Sequence, residues 1–197
     1  DGLEAVLAHP DVRLMILCNP HNPIGRLWTG EELRSVAHLC AQHGVVVVAD
    51  EIHADLALPP HSFTPFAEAA TGSGVEWAAT HGPIKTFGLA GICDTLLVTE
   101  SERLARLFKD ASNRLHLTRN NVVSMAAFEA AYRSGVEWLD DLLDLVLANL
   151  GALWAGLGDG IRLMPQQATY LAWLDFRALG LDAPRLAGAL STAGIAL

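Results

Sequence analysis

Lysine is nearly missing from this chain: Lys85 and Lys109 are the two among 197 residues. Lysine and arginine together number 13 against 22 aspartates and glutamates, a formal net charge of −9. A basic stripe is absent, which excludes the usual footprint of a nucleic-acid binder. Apolar runs are short, none approaching the roughly 18 residues of a membrane span, so no membrane partner is expected. The opening Asp-Gly-Leu-Glu-Ala-Val-Leu has no basic region, apolar stretch or cleavage site, and a signal peptide is not expected there. Cysteine is scarce as well. Cys18, Cys40 and Cys93 have no paired spacing, which points to free thiols and a cytoplasmic location.

What the chain does have is apolar mass, 51% of residues against 18% charged, which is the balance of a globular domain. Leu14-Met15-Ile16-Leu17-Cys18 and Val45-Val46-Val47-Val48-Ala49 are continuous branched runs. They read as strands buried on two faces, as in a parallel sheet under helices. Between them Thr29 and Glu32 fit a capping box, Leu33, Val36, Ala37 and Cys40 share one stripe, and Gly44 is placed to stop the helix. The βαβ unit that results should cross over right-handed. Further strands are expected near residues 75–80 and 95–99, with Lys85 in the loop between them. Residues 56–70, rich in proline, read as a connection with little regular structure. Helices follow at 102–113, 122–133 and 136–157, then a strand at 169–175 and a helix at 183–192. The expected fold class is α/β, a three-layer, mostly parallel sheet over residues 1–135. A linking helix and a partial α+β domain over 136–197 would follow.

Three words lie at the carboxyl ends of expected parallel strands, the edge where open α/β sheets bind ligands. They are Asn19-Pro20-His21-Asn22-Pro23-Ile24-Gly25, Asp50-Glu51-Ile52-His53 and Lys85-Thr86-Phe87-Gly88-Leu89-Ala90-Gly91. Singly each has an ordinary explanation. Asn-Pro pairs make turns, an Asp-Glu after a strand can be a cap, and a lone lysine is usually solvated. A metal site is not expected, because no third ligand is spaced beside Asp50 and Glu51.

Taken together, the three words resemble those of the fold-type I pyridoxal-5′-phosphate (PLP) enzymes, the aspartate aminotransferase superfamily. The words from Cys18 to Gly25, Asp50-Glu51-Ile52-His53-Ala54-Asp55 and from Lys85 to Gly91, with Thr64-Pro65-Phe66-Ala67 and the stretch from Ala168 to Asp175, are most similar to the cystathionine β-lyase (carbon–sulfur lyase) subgroup. The resemblance covers nearly the whole chain. It implies PLP as cofactor, an amino acid as substrate and a homodimer as the assembly. Lys85 would hold the cofactor covalently and move the substrate Cα proton. Asp50 would pair with the ring nitrogen, Asn22 would bond the ring's phenolate oxygen, and His53 would stand where many aminotransferases carry a tyrosine.

Two departures accompany the resemblance. Where the family places hydroxyls before the lysine and a basic residue after it to grip the phosphate, this chain has Ile84 and Cys93. Thr80, Thr86 and His81 remain as local candidates, of which Thr80 is the expected cofactor contact. The family also has a substantial segment before the position of Asp1 and another beyond Leu197, the latter with a carboxylate-clamping arginine. Arg114 and Arg119 read instead as surface or interface residues. The leading expectation is a carbon–sulfur β-lyase acting on cystathionine or a cysteine S-conjugate. An aminotransferase, and a non-catalytic domain with a decayed cofactor site, are the alternatives.

Overall fold

The computed structural model describes residues 2–118 and 121–196; Arg119 lies outside the described residues. A short helix α1 (Gly2–Leu7) leads into strand β1 (Leu14–Cys18), helix α2 (Gly30–Gln42) and strand β2 (Val46–Asp50). Helix α3 (Phe66–Ala70), strand β3 (Trp77–His81), the single turn α4 (Pro83–Thr86) and strand β4 (Leu96–Val98) follow. The sheet order is β1-β2-β3-β4, with β1, β2 and β3 parallel and β4 antiparallel to β3. The mostly parallel α/β sheet is therefore as the branched runs predict. Lys85 sits in α4 rather than in an irregular loop.

Helix α2 forms where its signals are. Both halves of the Thr29/Glu32 capping box are made, and Leu33, Val36, Ala37 and Cys40 are buried. They pack with Phe66, Ala69 and Ala70 of α3 on Leu17, Val47, Ala49, Trp77 and Ala79, one face of the sheet. Alternation sends their neighbours to the other face. There Leu14 and Ile16 are 51% and 71% exposed, so β1 is buried on one face and not on two. It is the edge strand, and among the described residues no helix packs across those two side chains. The connection over 56–70 is more ordered than its prolines suggest: a 3-10 turn spans Ala54–Leu56, and Phe66 anchors α3.

Helices α5 (Glu102–Arg114), α6 (Val122–Ser134) and α7 (Val136–Gly156) end within a residue of their expected limits. Each of α5 and α6 has a side-chain N-cap, Ser101 and Asn121. Strands β5 (Arg162–Leu163) and β6 (Leu174–Asp175) make a small antiparallel pair before helix α8 (Ala183–Thr192). The strand expected over 169–175 is thus confined to its last two residues. Gln167, Ala168 and Thr169 direct their backbone amides to Gly25 and Leu56 instead of to a sheet neighbour. Thr169, at φ 69°, also breaks the extended run. No described helix is long and apolar enough to cross a membrane.

Candidate active site

The parallel strands β1, β2 and β3 end side by side, and their last residues define the site. Cys18 pairs in register with Asp50, and Asp50 with Thr80, giving one row across three strands on the face opposite the α2–α3 core. The Thr80 hydroxyl donates to Asp50 Oδ1 at 3.2 Å, and the Ile52 amide reaches the same oxygen at 3.3 Å. Both bonds land on Oδ1, so Oδ2 can accept from another donor. Thr80 thus meets Asp50 rather than standing free for a phosphate.

Glu51, the next residue, turns to the other side. Its carboxylate is buried, with Oε1 accepting the Phe66 amide at 2.6 Å. His81 Nε2 lies 2.7 Å from Oε2, and that oxygen is satisfied only when the histidine carries a proton on Nε2. The hydrogen bond to Glu51 raises the His81 pKa above its ordinary value, against the opposing effect of burial. Asp50 and Glu51 therefore separate by strand alternation: one carboxylate faces the open side, the other locks the end of β3 to the start of α3.

His53 is buried, its ring meeting Tyr170 edge-on with centroids 6.1 Å apart. Burial, helped by the positive charge of Lys85, holds its pKa below the ordinary value, while Asp50 acts in the opposite sense. That direction favours the uncharged imidazole. Lys85 is half-buried and forms no ion pair among the described residues. Asp50 and Thr80 are in contact at this edge, and His53 lies near enough to Asp50 and Lys85 for both charges to act on it.

Asn22 stands apart as an exposed rim residue. Its backbone amide points to Cys18 Sγ at 3.4 Å, and Cys18 in turn neighbours Asp50. The first asparagine of the word has a different task. Asn19 is fully buried, donating to the Thr64 carbonyl and accepting from the Trp28 amide. Gly25 closes this loop at φ 67°, where an added Cβ would lie 2.7 Å from the Ala168 carbonyl oxygen. Its own carbonyl accepts from the Gln167 and Ala168 amides. That clasp delivers Tyr170 to His53.

The remaining phosphate candidates are already engaged. Thr86 is fully buried and donates to Asp55 Oδ2 at 2.8 Å. His81 faces Glu51, and Cys93 is buried with its thiol toward the Ser124 carbonyl. Arg114 is exposed at the end of α5. Sequence reasoning quoted Cys18 and Tyr170 within its words but gave them no role, and it did not pair Glu51 with His81. The signal for Cys18 was its place as the last residue of β1, one before the Asn-Pro word. Tyr170 had only its motif, since the contact spans more than a hundred residues of chain.

The model of the family described as aminotransferase class I and II matches residues 1–197. The chain is 39% identical over 185 residues to cystathionine beta-lyase PatB of Bacillus subtilis, covering 92% of this chain and 48% of that protein. Among solved structures, a PLP-bound putative aminotransferase from Clostridium difficile superposes with a TM-score of 0.89 at 35% identity, over 95% of this chain and 49% of that one. The PLP-bound C-S lyase from Staphylococcus hominis gives a TM-score of 0.85 at 27% identity, over 98% and 50%. The chain spans about half the length of these relatives. With the family's description matched from end to end, and the expected strand-end words gathered on one edge of its fold, this chain belongs to the class I and II aminotransferase family.

Proposed function

We propose that this chain carries the lysine-bearing part of a PLP-dependent carbon–sulfur β-lyase. Its substrate would be cystathionine or a cysteine S-conjugate, and its products a thiol, pyruvate and ammonia. The observation that carries the reading is an Asp50 carboxylate held through one oxygen only, at the sheet edge where a buried His53 feels the charges of both Asp50 and Lys85. Similarity to a relative named cystathionine beta-lyase supports the lyase over other chemistries of the family.

These residues fit PLP. Asp50 Oδ2, the oxygen not engaged by Thr80 and Ile52, would accept a hydrogen bond from the protonated ring nitrogen and so keep the proton on the ring. Lys85 would hold the cofactor through its amine, and Asn22 with His53 would bound the phenolate side. Thr80 would contribute by orienting Asp50. When bound, the cofactor supplies an electron sink for the carbanion at the substrate Cα. Lys85 Nζ, free once the substrate amine has taken its place, would take the Cα proton. The electron pair left at Cα would form the Cα–Cβ double bond as the Cβ–S bond breaks, and the sulfur would leave as a thiolate that takes up a proton. The Lys85 amine would then reclaim its place and free the product enamine, which water would hydrolyse to pyruvate and ammonia.

The same reading divides the chain at Gly135, with a PLP-binding part over 1–135 and a linking helix and smaller part over 136–197. It also makes the full-length protein a cytoplasmic homodimer. A second reading, transamination, has support from the aminotransferase named among the similar structures. Supplying L-cystathionine to the full-length protein without any keto acid separates the two. Pyruvate release is expected. Turnover that strictly requires a keto acid would overturn the lyase in favour of the transaminase.

A further inference from the structure

A helix of one turn cannot hold itself in place, since nucleation costs more than its few hydrogen bonds return. Helix α4 has four residues, so the position of Lys85 depends on what grips its neighbours. Pro83 is buried at the start of the turn, and Thr86 is fully buried at its end. Asp55 lies on the 3-10 turn that follows His53. Its Oδ2 accepts from the Thr86 hydroxyl at 2.8 Å and from the Tyr132 hydroxyl of α6 at 3.2 Å. The next residue, Phe87, packs against the rings of Tyr132 and Trp138 at 5.7 and 5.6 Å. Gly135 leaves no room there for a Cβ between Phe87 and the Ala131 carbonyl.

We propose that Asp55 is a positioning residue for Lys85. One carboxylate oxygen joins the lysine-bearing turn, the turn after His53 and helix α6. Neither the motif spacing nor the roles given to Asn22, Asp50 and His53 assigns these two hydrogen bonds. The charge and the hydroxyls are matched in kind. Burial above all, and then the negative Asp55, push the Tyr132 phenol well above its ordinary pKa, so it stays protonated and donates. Thr86, sealed from solvent, has no water to replace a lost acceptor. Around this carboxylate stand Thr86 and Tyr132, with His81 near enough to feel its charge. Loosening Asp55 should leave the cofactor's resting place intact and misplace the amine that must attack it.

This inference rests on the PLP reading above, and the test keeps the two apart. The full-length holoenzyme is stripped of PLP, PLP is added back over a range of concentrations, and the Lys85 adduct is trapped with borohydride at intervals. Asp55→Asn and Thr86→Val should lower the rate at saturating PLP by about tenfold or more. The half-saturating concentration should stay within about twofold. Thr86→Ser keeps the hydroxyl and should restore the rate to within about twofold, which a role in packing alone would not produce. An unchanged saturating rate in Thr86→Val, or equal damage in Thr86→Ser, overturns the positioning role and leaves the PLP reading standing. If Thr86→Val does not fold, Tyr132→Phe reports from the other arm: slower capture supports the role and unchanged capture overturns it. Absence of any adduct on Lys85 in the unmodified protein overturns both readings.

Discussion

Asp50 and Glu51 are adjacent acids with opposite fates, and the difference comes from strand alternation. Asp50 belongs to the row Cys18–Asp50–Thr80 on the open face, while Glu51 is buried between Phe66 and His81. Replacing Asp50 with asparagine removes the charge proposed to face the ring nitrogen but keeps an oxygen for Thr80 and Ile52. The fold should stand, with a melting temperature close to that of the unmodified protein. Turnover of the full-length protein should fall by about a hundredfold or more, the usual scale for losing one preorganised electrostatic partner. Unchanged turnover would take Asp50 out of the site. Lys85→Ala is expected to abolish any borohydride-trappable PLP adduct. With Lys109 the other lysine of the chain and placed on exposed α5, mapping the adduct to Lys109 would refute the assignment.

At the scale of elements, the Glu51–His81 pair joins the ends of β2 and β3, and it titrates. The folded pKa of His81 is raised above the ordinary histidine value of 6.5, chiefly by its hydrogen bond to Glu51. Its contribution to stability is therefore complete below about pH 6.5 and is lost as pH rises through the folded value. Thermal melts between pH 6 and 9 should show a decline that His81→Gln flattens; an equal decline in both proteins would remove the pair as its source. The Gly25 clasp is a second joint. Gly25→Ala must place a side chain at φ 67° and against the Ala168 carbonyl, costing about 2–4 kcal/mol. Urea unfolding of the two proteins measures that difference. Elements whose signals are local were legible in the sequence: the capping box of α2, the spans of α5 and α6, and the branched runs of β1 and β2. The segment 166–170 was not. Its partners are the backbone of Gly25 and of Leu56–Leu58, fixed by tertiary hydrogen bonds that no periodicity records. The site was legible in its strand-end residues, Asp50, His53 and Lys85, because alternation and strand order bring them together. Asp55 and Tyr132 were not legible as a pair, since their contact depends on where α6 packs.

Over the whole molecule the burial is uneven. The α2–α3 side of the sheet holds a continuous core, whereas α5 buries no residue and the 21-residue α7 buries only Val146. Leu107, Phe108, Met125, Trp138 and Trp154 are each close to half exposed or more along these helices. Apolar surface displayed on this scale favours contact with further protein surface. The formal net charge of −9 opposes indiscriminate aggregation, so the 197-residue chain should form small, concentration-dependent oligomers and not a precipitate. The two forces respond differently to salt. At about 0.5 M sodium chloride, repulsion between copies is screened within a few ångströms while apolar attraction is undiminished, so association should strengthen. Light scattering across a dilution series at low and high salt reads this directly. Changing Trp154 and Phe108 to serine should weaken association at both salt levels without lowering the melting temperature, because both are solvent-exposed in the single chain. A sharp monomer at high concentration in either salt would show that these helices, exposed as they are, do not bring copies together.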